Sequence, residues 1–185
     1  RLFTMLQRRH FLKQAACLGA AGITGLSSTR VFAGQQEERT LRLYNIHTGE
    51  FTTSTFWANG RYIDEGVESL DILVRDHRRD QVMAMQRELY QNMYQLQQLF
   101  ASHEPLYVIS GYRAPESNAS LRYTSSGVAE HSLHMQGRAI DIRIPGVSHR
   151  HLHRAALAMG NGGVGYYPKS GFVHIDTGRT RHWTA

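Results

Sequence analysis

Apolar residues recur along the chain at two spacings, and each spacing predicts a type of element. Residues 62–78 and 89–100 place apolar side chains three or four positions apart, which predicts two amphipathic helices. A third helix is predicted at 149–159. Short apolar or alternating runs predict strands at 41–46, 51–56, 106–109, 139–144, 162–167 and 172–176. This order of elements predicts a small mixed α+β domain in which helices flank a central antiparallel sheet.

Two segments between these elements are predicted to be loops. Residues 110–115 carry Gly and Pro, which interrupt regular structure, directly after a predicted strand. Residues 116–133 are rich in Ser and Asn, and we expect a long loop there with some helix. Loops of this length in compact domains are often functional, so both segments are candidates for part of a site.

The first 33 residues have the three-part pattern of a signal peptide. Arg8 and Arg9 are followed by His-Phe-Leu-Lys, then by a mildly apolar run rich in Gly and Ala, and then by Val-Phe-Ala, which ends at Ala33. The arginine pair resembles the twin-arginine signal of bacteria. A membrane anchor is the alternative, but the apolar run is shorter than the roughly 20 residues that span a bilayer.

We therefore expect the twin-arginine machinery to bind the chain transiently and to export it to the periplasm. The expected boundaries are a signal peptide at 1–33, a flexible lead-in at 34–40 and one functional domain at 41–185, without stable membrane insertion once the signal is removed. A chain of 185 residues with 41% hydrophobic residues is within the size of a single globular domain.

Charge and cysteine content exclude several classes of function. The formal net charge is +6, but residues 1–33 hold five basic residues and no acidic one, which leaves 16 basic against 15 acidic residues in the remainder. Without a basic tract or stripe, nucleic acid is not an expected partner. The single cysteine, Cys17, lies in the predicted signal. The mature chain therefore cannot form a disulfide, a thiol nucleophile or a cysteine-type zinc site.

Histidine and aspartate residues supply a candidate metal site. In the stretch Ser-Leu-His-Met-Gln-Gly-Arg-Ala-Ile-Asp, His134 precedes Asp141 by seven residues, with Gly137 at a position that suits a turn. His174, in another predicted strand, supplies a third ligand. Two histidines and one carboxylate leave a fourth zinc position open for water, which is typical of catalytic zinc. On spacing alone, an exposed hydrogen-bonded His–Asp pair is the alternative.

That ten-residue stretch matches the signature Ser-x-His-x-x-Gly-x-Ala-x-Asp and so resembles the M15 group of zinc peptidases, which includes D-alanyl-D-alanine carboxypeptidases, dipeptidases and phage endolysins. Residues 110–113, 162–168, 172–178 and 181–183 are similar to the YcbK-like (DUF882) branch of that group. The resemblance covers about 41–183. It implies an M15/hedgehog-like fold, Zn²⁺ held by His134, Asp141 and His174, and hydrolysis of the peptide cross-links of peptidoglycan (murein).

The sequence does not identify the general base. The wider group carries an acidic base three residues before the last zinc histidine, and this chain has Gly171 there. His131, three residues before His134, and Asp176, two after His174, are the candidates. Asp176 could instead orient a ligand histidine, and His131 could be an ordinary surface residue.

Arg113 is a candidate catalytic residue on the loop 110–115. The resemblance implies that an arginine at this position contacts the substrate, where it could pair with a carboxylate or stabilise the negative charge that develops on the carbonyl oxygen. An ordinary surface or helix-capping arginine is the alternative.

Three other functions remain open at this stage. The first is a D,D-carboxypeptidase or dipeptidase that acts on free stem peptides. The second is a zinc-containing module that binds murein without cutting it, which the absence of an acid at Gly171 would suit. The third is a hedgehog-like signalling domain.

Overall fold

Eight strands in one sheet and four α-helices make up the part of the chain that the computed structural model describes, residues 37–125 and 127–185. In chain order the elements are β1 (Arg39–Asn45), β2 (Phe51–Ala58), β3 (Arg61–Tyr62), α1 (Asp64–Leu73), α2 (Arg87–Leu99), β4 (Leu106–Ser110), α3 (Pro115–Thr124), a 3₁₀ segment (Leu133–Gln136), β5 (Ala139–Arg143), α4 (His149–Met159), β6 (Gly163–Tyr167), β7 (Phe172–Asp176) and β8 (Arg181–Thr184). The strand order is β3-β2-β1-β4-β5-β7-β6-β8.

The sheet is mostly antiparallel. The β1–β4 and β6–β8 pairs are parallel, and the other neighbouring pairs are antiparallel. The β1–β2 hairpin was predicted from its two alternating runs, and it forms with Leu43 opposite Thr52. The predicted mixed α+β class is therefore confirmed, with two parallel pairs added to the antiparallel sheet.

One hydrophobic core joins the helices to the sheet. It contains alternate side chains of the central strands, among them Leu41, Leu43, Ile140, Ile142, Val173 and Ile175. The amphipathic stripe of α2 adds Leu89, Met93 and Leu96, which the three- and four-residue spacing predicted. Because successive side chains of a strand point to opposite faces, the residues between these core positions lie on the other face of the sheet. That face carries the candidate site.

Helix α1 is shorter than predicted. The predicted helix extends to residue 78, with its last apolar position at Val74, but α1 ends at Leu73. The carbonyl of Val74 accepts the N–H of Tyr112 at 2.8 Å instead of serving a longer helix. The buried carboxylate of Asp76 then accepts the N–H groups of Arg78, at 2.9 Å, and Ala114, at 2.7 Å. These bonds hold the chain after α1 against the loop that follows β4.

The predicted long loop and the end of the chain each contain more regular structure than expected. Helix α3 occupies Pro115–Thr124. Strand β8 was not predicted as a separate strand, because Arg181–Thr184 is short, partly exposed and largely polar.

The predicted signal peptide, which includes Cys17, and residues 34–36 of the predicted lead-in lie outside the described residues, and β1 begins at Arg39 within that lead-in. Among the residues that are described, no helix is long and apolar enough to cross a membrane.

Candidate metal centre

The candidate site lies on one row of residues that crosses five strands. In the register of the sheet, Ser110 of β4 lies opposite Asp141 of β5, and Asp141 lies opposite His174 of β7. The row continues to Gly165 of β6 and Trp183 of β8. Residues that lie opposite each other in neighbouring strands point to the same face. Strand register therefore places the side chains of Asp141 and His174 side by side.

His134 approaches the same point from outside the sheet. It lies in the 3₁₀ segment, where the Oγ of Ser132 accepts the N–H of His134 at 3.4 Å. Gly137 ends the segment with φ of 64°, a left-handed conformation that favours glycine. A Cβ there would come within 2.7 Å of the carbonyl oxygen of Ala84. The predicted turn at Gly137 is therefore present, and it leads the chain from His134 into β5.

The three predicted ligands come together with one donor atom each facing a common point. His134 Nε2 lies 3.2 Å from His174 Nδ1 and 3.4 Å from Asp141 Oδ1, and the last two atoms are 2.9 Å apart. All three side chains are buried. Within the described part of the chain they form the one group of histidine, cysteine and acidic residues whose donor atoms are spaced to hold a metal ion.

The remaining ring nitrogen of each histidine has its own partner. His134 Nδ1 donates to the carbonyl oxygen of Gly111 at 2.8 Å, and His174 Nε2 donates to Asp176 Oδ2 at 3.0 Å. A metal-binding histidine commonly donates its second N–H in this way, and the partner fixes the tautomer and the ring orientation. Gly111 suits its role, since a Cβ there would overlap the carbonyl group of Val74.

The carboxylate of Asp176 is fully engaged beside His174. Arg181 donates to both of its oxygens, at 3.0 and 2.7 Å, and the N–H groups of Gly163 and Gly178 donate to Oδ1 at 2.9 and 2.8 Å. Its side chain has no solvent exposure. Asp176 therefore lies where it orients the ring of His174 through the nitrogen that does not face Asp141.

The electrostatics of the site favour a positive charge between its carboxylates. Burial opposes ionisation of Asp141, but the imidazoles of His134 and His174 outweigh it and lower the pKa of Asp141. Burial lowers the pKa of His134. Burial also opposes the charged form of His174, yet its hydrogen bonds to Asp141 and Asp176 raise its pKa to about 9. Neutral His134 and ionised Asp141 are the forms that bind a metal cation.

A cleft of about 700 Å³ opens over this row, and the predicted Arg113 lines it together with the three candidate ligands. The guanidinium of Arg113 is held by Asn118 Oδ1 at 3.2 Å and Ser110 Oγ at 3.3 Å. Arg113 is 9% exposed, and its buried Nε has no hydrogen-bond partner among the described residues. Burial lowers the pKa of Arg113, although an arginine stays charged at neutral pH. Arg113 thus adds a largely buried positive charge to the wall of the cleft.

His131 and Gly171 lie apart from the three candidate ligands. His131 is exposed. Its neighbour Ser132 is one of the described residues that line the cleft, but His131 is not. Gly171 lies in the turn between β6 and β7 with φ of 69°, and a Cβ there would meet His149 Cε1 at 3.2 Å and Arg143 Nη2 at 3.4 Å. A side chain at position 171 would be strained and would face His149 and Arg143.

Trp183 was not assigned to the site from the sequence. The indole lies where a Cβ on Gly165 would otherwise extend, and its ring centroid is 5.1 Å from that of His174. Trp183 Nε1 donates to Tyr167 Oη at 3.0 Å, and both side chains line the cleft. The closing Arg-His-Trp sequence was the available signal, but only the parallel β6–β8 pairing places the indole next to His174.

A buried His–Asp–His set at an open cleft, with the charged side chain of Arg113 in the lining of the cleft, is the arrangement of a candidate hydrolytic metal centre. The Peptidase_M15_2 family, described as peptidoglycan L,D-endopeptidase MepK, matches residues 33–183, and the chain belongs to this family. The resemblance to M15 peptidases that the signature indicated is thereby confirmed.

Curated relatives agree with this assignment. Peptidoglycan L,D-endopeptidase MepK of Escherichia coli K12 is 43% identical over 145 residues, which cover 78% of this chain and 80% of that protein. The protein of the same name from Shigella flexneri shows the same identity and coverage. Probable peptidoglycan L,D-endopeptidase MepK of Haemophilus influenzae is 40% identical over 166 residues, 89% of each chain. No solved structure matches this chain.

Proposed function

We propose that this protein is an exported, zinc-dependent endopeptidase that hydrolyses peptide cross-links of peptidoglycan in the periplasm, with an M15/hedgehog-like fold. The observation that carries the proposal is the convergence of His134 Nε2, Asp141 Oδ1 and His174 Nδ1 at the floor of an open cleft. The names of the relatives support peptidoglycan as the substrate and an amide between an L and a D centre as the bond that is cut.

The donor set and its spacing suit zinc. Tetrahedral zinc with bonds of about 2.0–2.1 Å places neighbouring ligand atoms about 3.3 Å apart. The three separations here are 2.9, 3.2 and 3.4 Å. Three protein ligands leave one position for a reactant, and the cleft gives access to it. Zinc bound by these residues would supply a Lewis acid that activates water and polarises an amide carbonyl.

The other side chains of the site have separate tasks. Asp176 holds the ring of His174 and keeps its Nδ1 directed at the common point. Arg113 stabilises the negative charge that develops on the carbonyl oxygen of the substrate, since its side chain is charged and lines the cleft together with the three candidate ligands. The identity of the general base is left to experiment: Asp176 is enclosed by Arg181 and two backbone N–H groups, and His131 is exposed and is not among the described residues that line the cleft.

Digestion of purified peptidoglycan tests the proposed function. The zinc-loaded protein is expected to consume cross-linked muropeptide dimers and to release monomers, and a chelator is expected to abolish this until zinc is restored. The measurement is mass spectrometry of the soluble products. Trimming of free stem-peptide ends without loss of dimers would indicate a carboxypeptidase instead. Retention of peptidoglycan without any release would indicate a binding module.

Asp176→Asn and His131→Ala are expected to separate orientation of a ligand from proton transfer. Loss of the Asp176 charge beside His174 should weaken zinc affinity on the order of 10- to 100-fold, measured by competition with a chromogenic chelator. His131→Ala should keep zinc and lose on the order of 10²- to 10⁴-fold in turnover if His131 is the base. The exposed Asp64→Asn is the control and should change neither. Full activity of His131→Ala would remove His131 from the mechanism.

A further inference from the structure

We propose that Arg78 and Lys169 form a subsite that binds a free carboxylate of the substrate next to the scissile amide. This inference rests on the proposed function, because it defines the chemistry of the cross-link that the same cleft accepts. The cleft that contains the carboxylate of Asp141 is lined by more basic than acidic side chains.

Cationic side chains dominate the cleft. Four of them line it, Arg78, Arg113, Lys169 and Arg181, whereas Asp141 is the one acidic side chain among the described lining residues. Asp141 is occupied with His134 and His174. The cleft therefore presents excess positive charge to whatever enters it, and its complement is a substrate that carries carboxylates.

Two of the four cations have tasks already. Arg181 forms a two-pronged ion pair with Asp176, and Arg113 is buried against Asn118 and Ser110. Arg78 and Lys169 are exposed, and within the described part of the chain neither side chain forms an ion pair or a hydrogen bond with protein. These two residues are thus available to a ligand.

Arg78 lacks a partner because the acidic groups near it in sequence are used elsewhere. Arg75 takes both nearby exposed carboxylates, Glu50 at 2.7 Å and Asp80 at 2.5 Å. The carboxylate of Asp76 is buried and accepts backbone N–H groups. A guanidinium at the wall of a cleft, surrounded by acids that all bind other groups, is free to form a bidentate pair with an incoming carboxylate.

The backbones that carry both residues are held in place. Asp76 accepts the N–H of Arg78 on one oxygen and the N–H of Ala114 on the other, so the segment with Arg78 is tied to the segment with Arg113. Lys169 lies in the β6–β7 turn, which Gly171 closes by donating its N–H to the carbonyl of Tyr167 at 2.8 Å. A binding group on an ordered backbone loses less entropy when a ligand binds.

The chemistry of peptidoglycan supplies the matching group. Where the amide nitrogen of a cross-link belongs to the D centre of a diamino diacid, the carbon that bears this nitrogen also bears a carboxylate. That carboxylate lies within two bonds of the scissile nitrogen. A cross-link whose amine comes from lysine lacks it, and amidation removes its charge. Recognition of this carboxylate would therefore select among cross-links that share the same amide.

The test compares two synthetic cross-linked peptides that differ only in a carboxylate or a carboxamide at this carbon. The zinc-loaded protein is expected to prefer the carboxylate on the order of 10- to 100-fold in kcat/KM, the usual effect of a charge-assisted hydrogen bond. Arg78→Gln and Lys169→Gln are each expected to reduce that ratio, mainly through a higher KM for the carboxylate peptide. Arg79→Gln is the matched control, an exposed arginine that does not line the cleft.

The proposal is overturned if the wild-type protein cleaves both peptides equally, or if Arg78→Gln and Lys169→Gln both keep the wild-type ratio. Calorimetric binding of the two peptides to chelator-treated protein separates this outcome from failure of the proposed function. Tighter binding of the carboxylate peptide that Arg78→Gln loses, without hydrolysis of either peptide by the zinc-loaded protein, would support the subsite and reject the endopeptidase. Equal hydrolysis of both peptides by the zinc-loaded protein would support the endopeptidase and reject the subsite.

Discussion

Replacing His134 by alanine is expected to remove stoichiometric zinc from the protein and, with it, hydrolysis of peptidoglycan cross-links. The change deletes one of three donor atoms that lie 2.9 to 3.4 Å apart, and the remaining pair, Asp141 and His174, cannot close the site alone. The loss of zinc affinity should exceed the roughly 10- to 100-fold cost of losing an outer partner of a ligand. Elemental analysis of the purified variant measures how much zinc each chain retains.

His151→Ala is the control for that experiment, since His151 is an exposed histidine on α4 away from the row of site residues. It should keep one zinc per chain and full activity. Circular dichroism checks that His134→Ala is folded, because its imidazole is buried and also bonds to Gly111. A folded His134→Ala protein that still holds one equivalent of zinc would show that the metal is bound elsewhere.

The alternation of residue types made the site predictable as a set of residues. Asp141 lies between two apolar residues, Ile140 and Ile142. His174 likewise lies between Val173 and Ile175. Such a pattern places one polar side chain on the face opposite the core. What the pattern does not contain is the register between β5 and β7, which depends on long-range pairing. That register is what sets Asp141 opposite His174.

The errors at the element ends have the same origin. The apolar spacing of α1 includes Val74, yet the carbonyl of Val74 accepts the N–H of Tyr112, about forty residues later in the sequence, and so does not serve a longer helix. Trp183 likewise belongs to the site only because β8 pairs with β6. Local sequence carries no signal for contacts of this kind.

Asp176, one of the two base candidates, lies in a hydrogen bond to His174. Asp176 is two residues from His174, so their side chains share a face of β7 and the carboxylate meets the ring at Nε2. Proximity to a ligand thus leads to an orienting contact. Gly171 shows the same limit, because the sequence does not reveal that its backbone is left-handed, a conformation that favours glycine.

Arg113→Met is expected to lower kcat on the order of 10²- to 10³-fold while zinc content stays unchanged, the usual effect of removing a donor that stabilises developing negative charge. The guanidinium of Arg113 bonds to Asn118 and Ser110 and not to the side chains of the candidate ligands, so its loss should spare the metal. Methionine keeps much of the side-chain volume beside Asn118 and removes the charge. Steady-state kinetics on a cross-linked dimer, paired with zinc analysis, gives both quantities.

Arg113→Lys sharpens the interpretation, because it keeps the charge and removes the planar fork that spans Ser110 and Asn118. If charge alone matters, the lysine variant should recover most of the lost rate; if the fork positions the charge, it should recover little. Arg122→Met, an exposed arginine on α3, is the control and should behave as wild type. A rise in KM with kcat preserved in Arg113→Met would assign Arg113 to ground-state binding of a carboxylate. Loss of a group that acts only on the transition state would instead lower kcat.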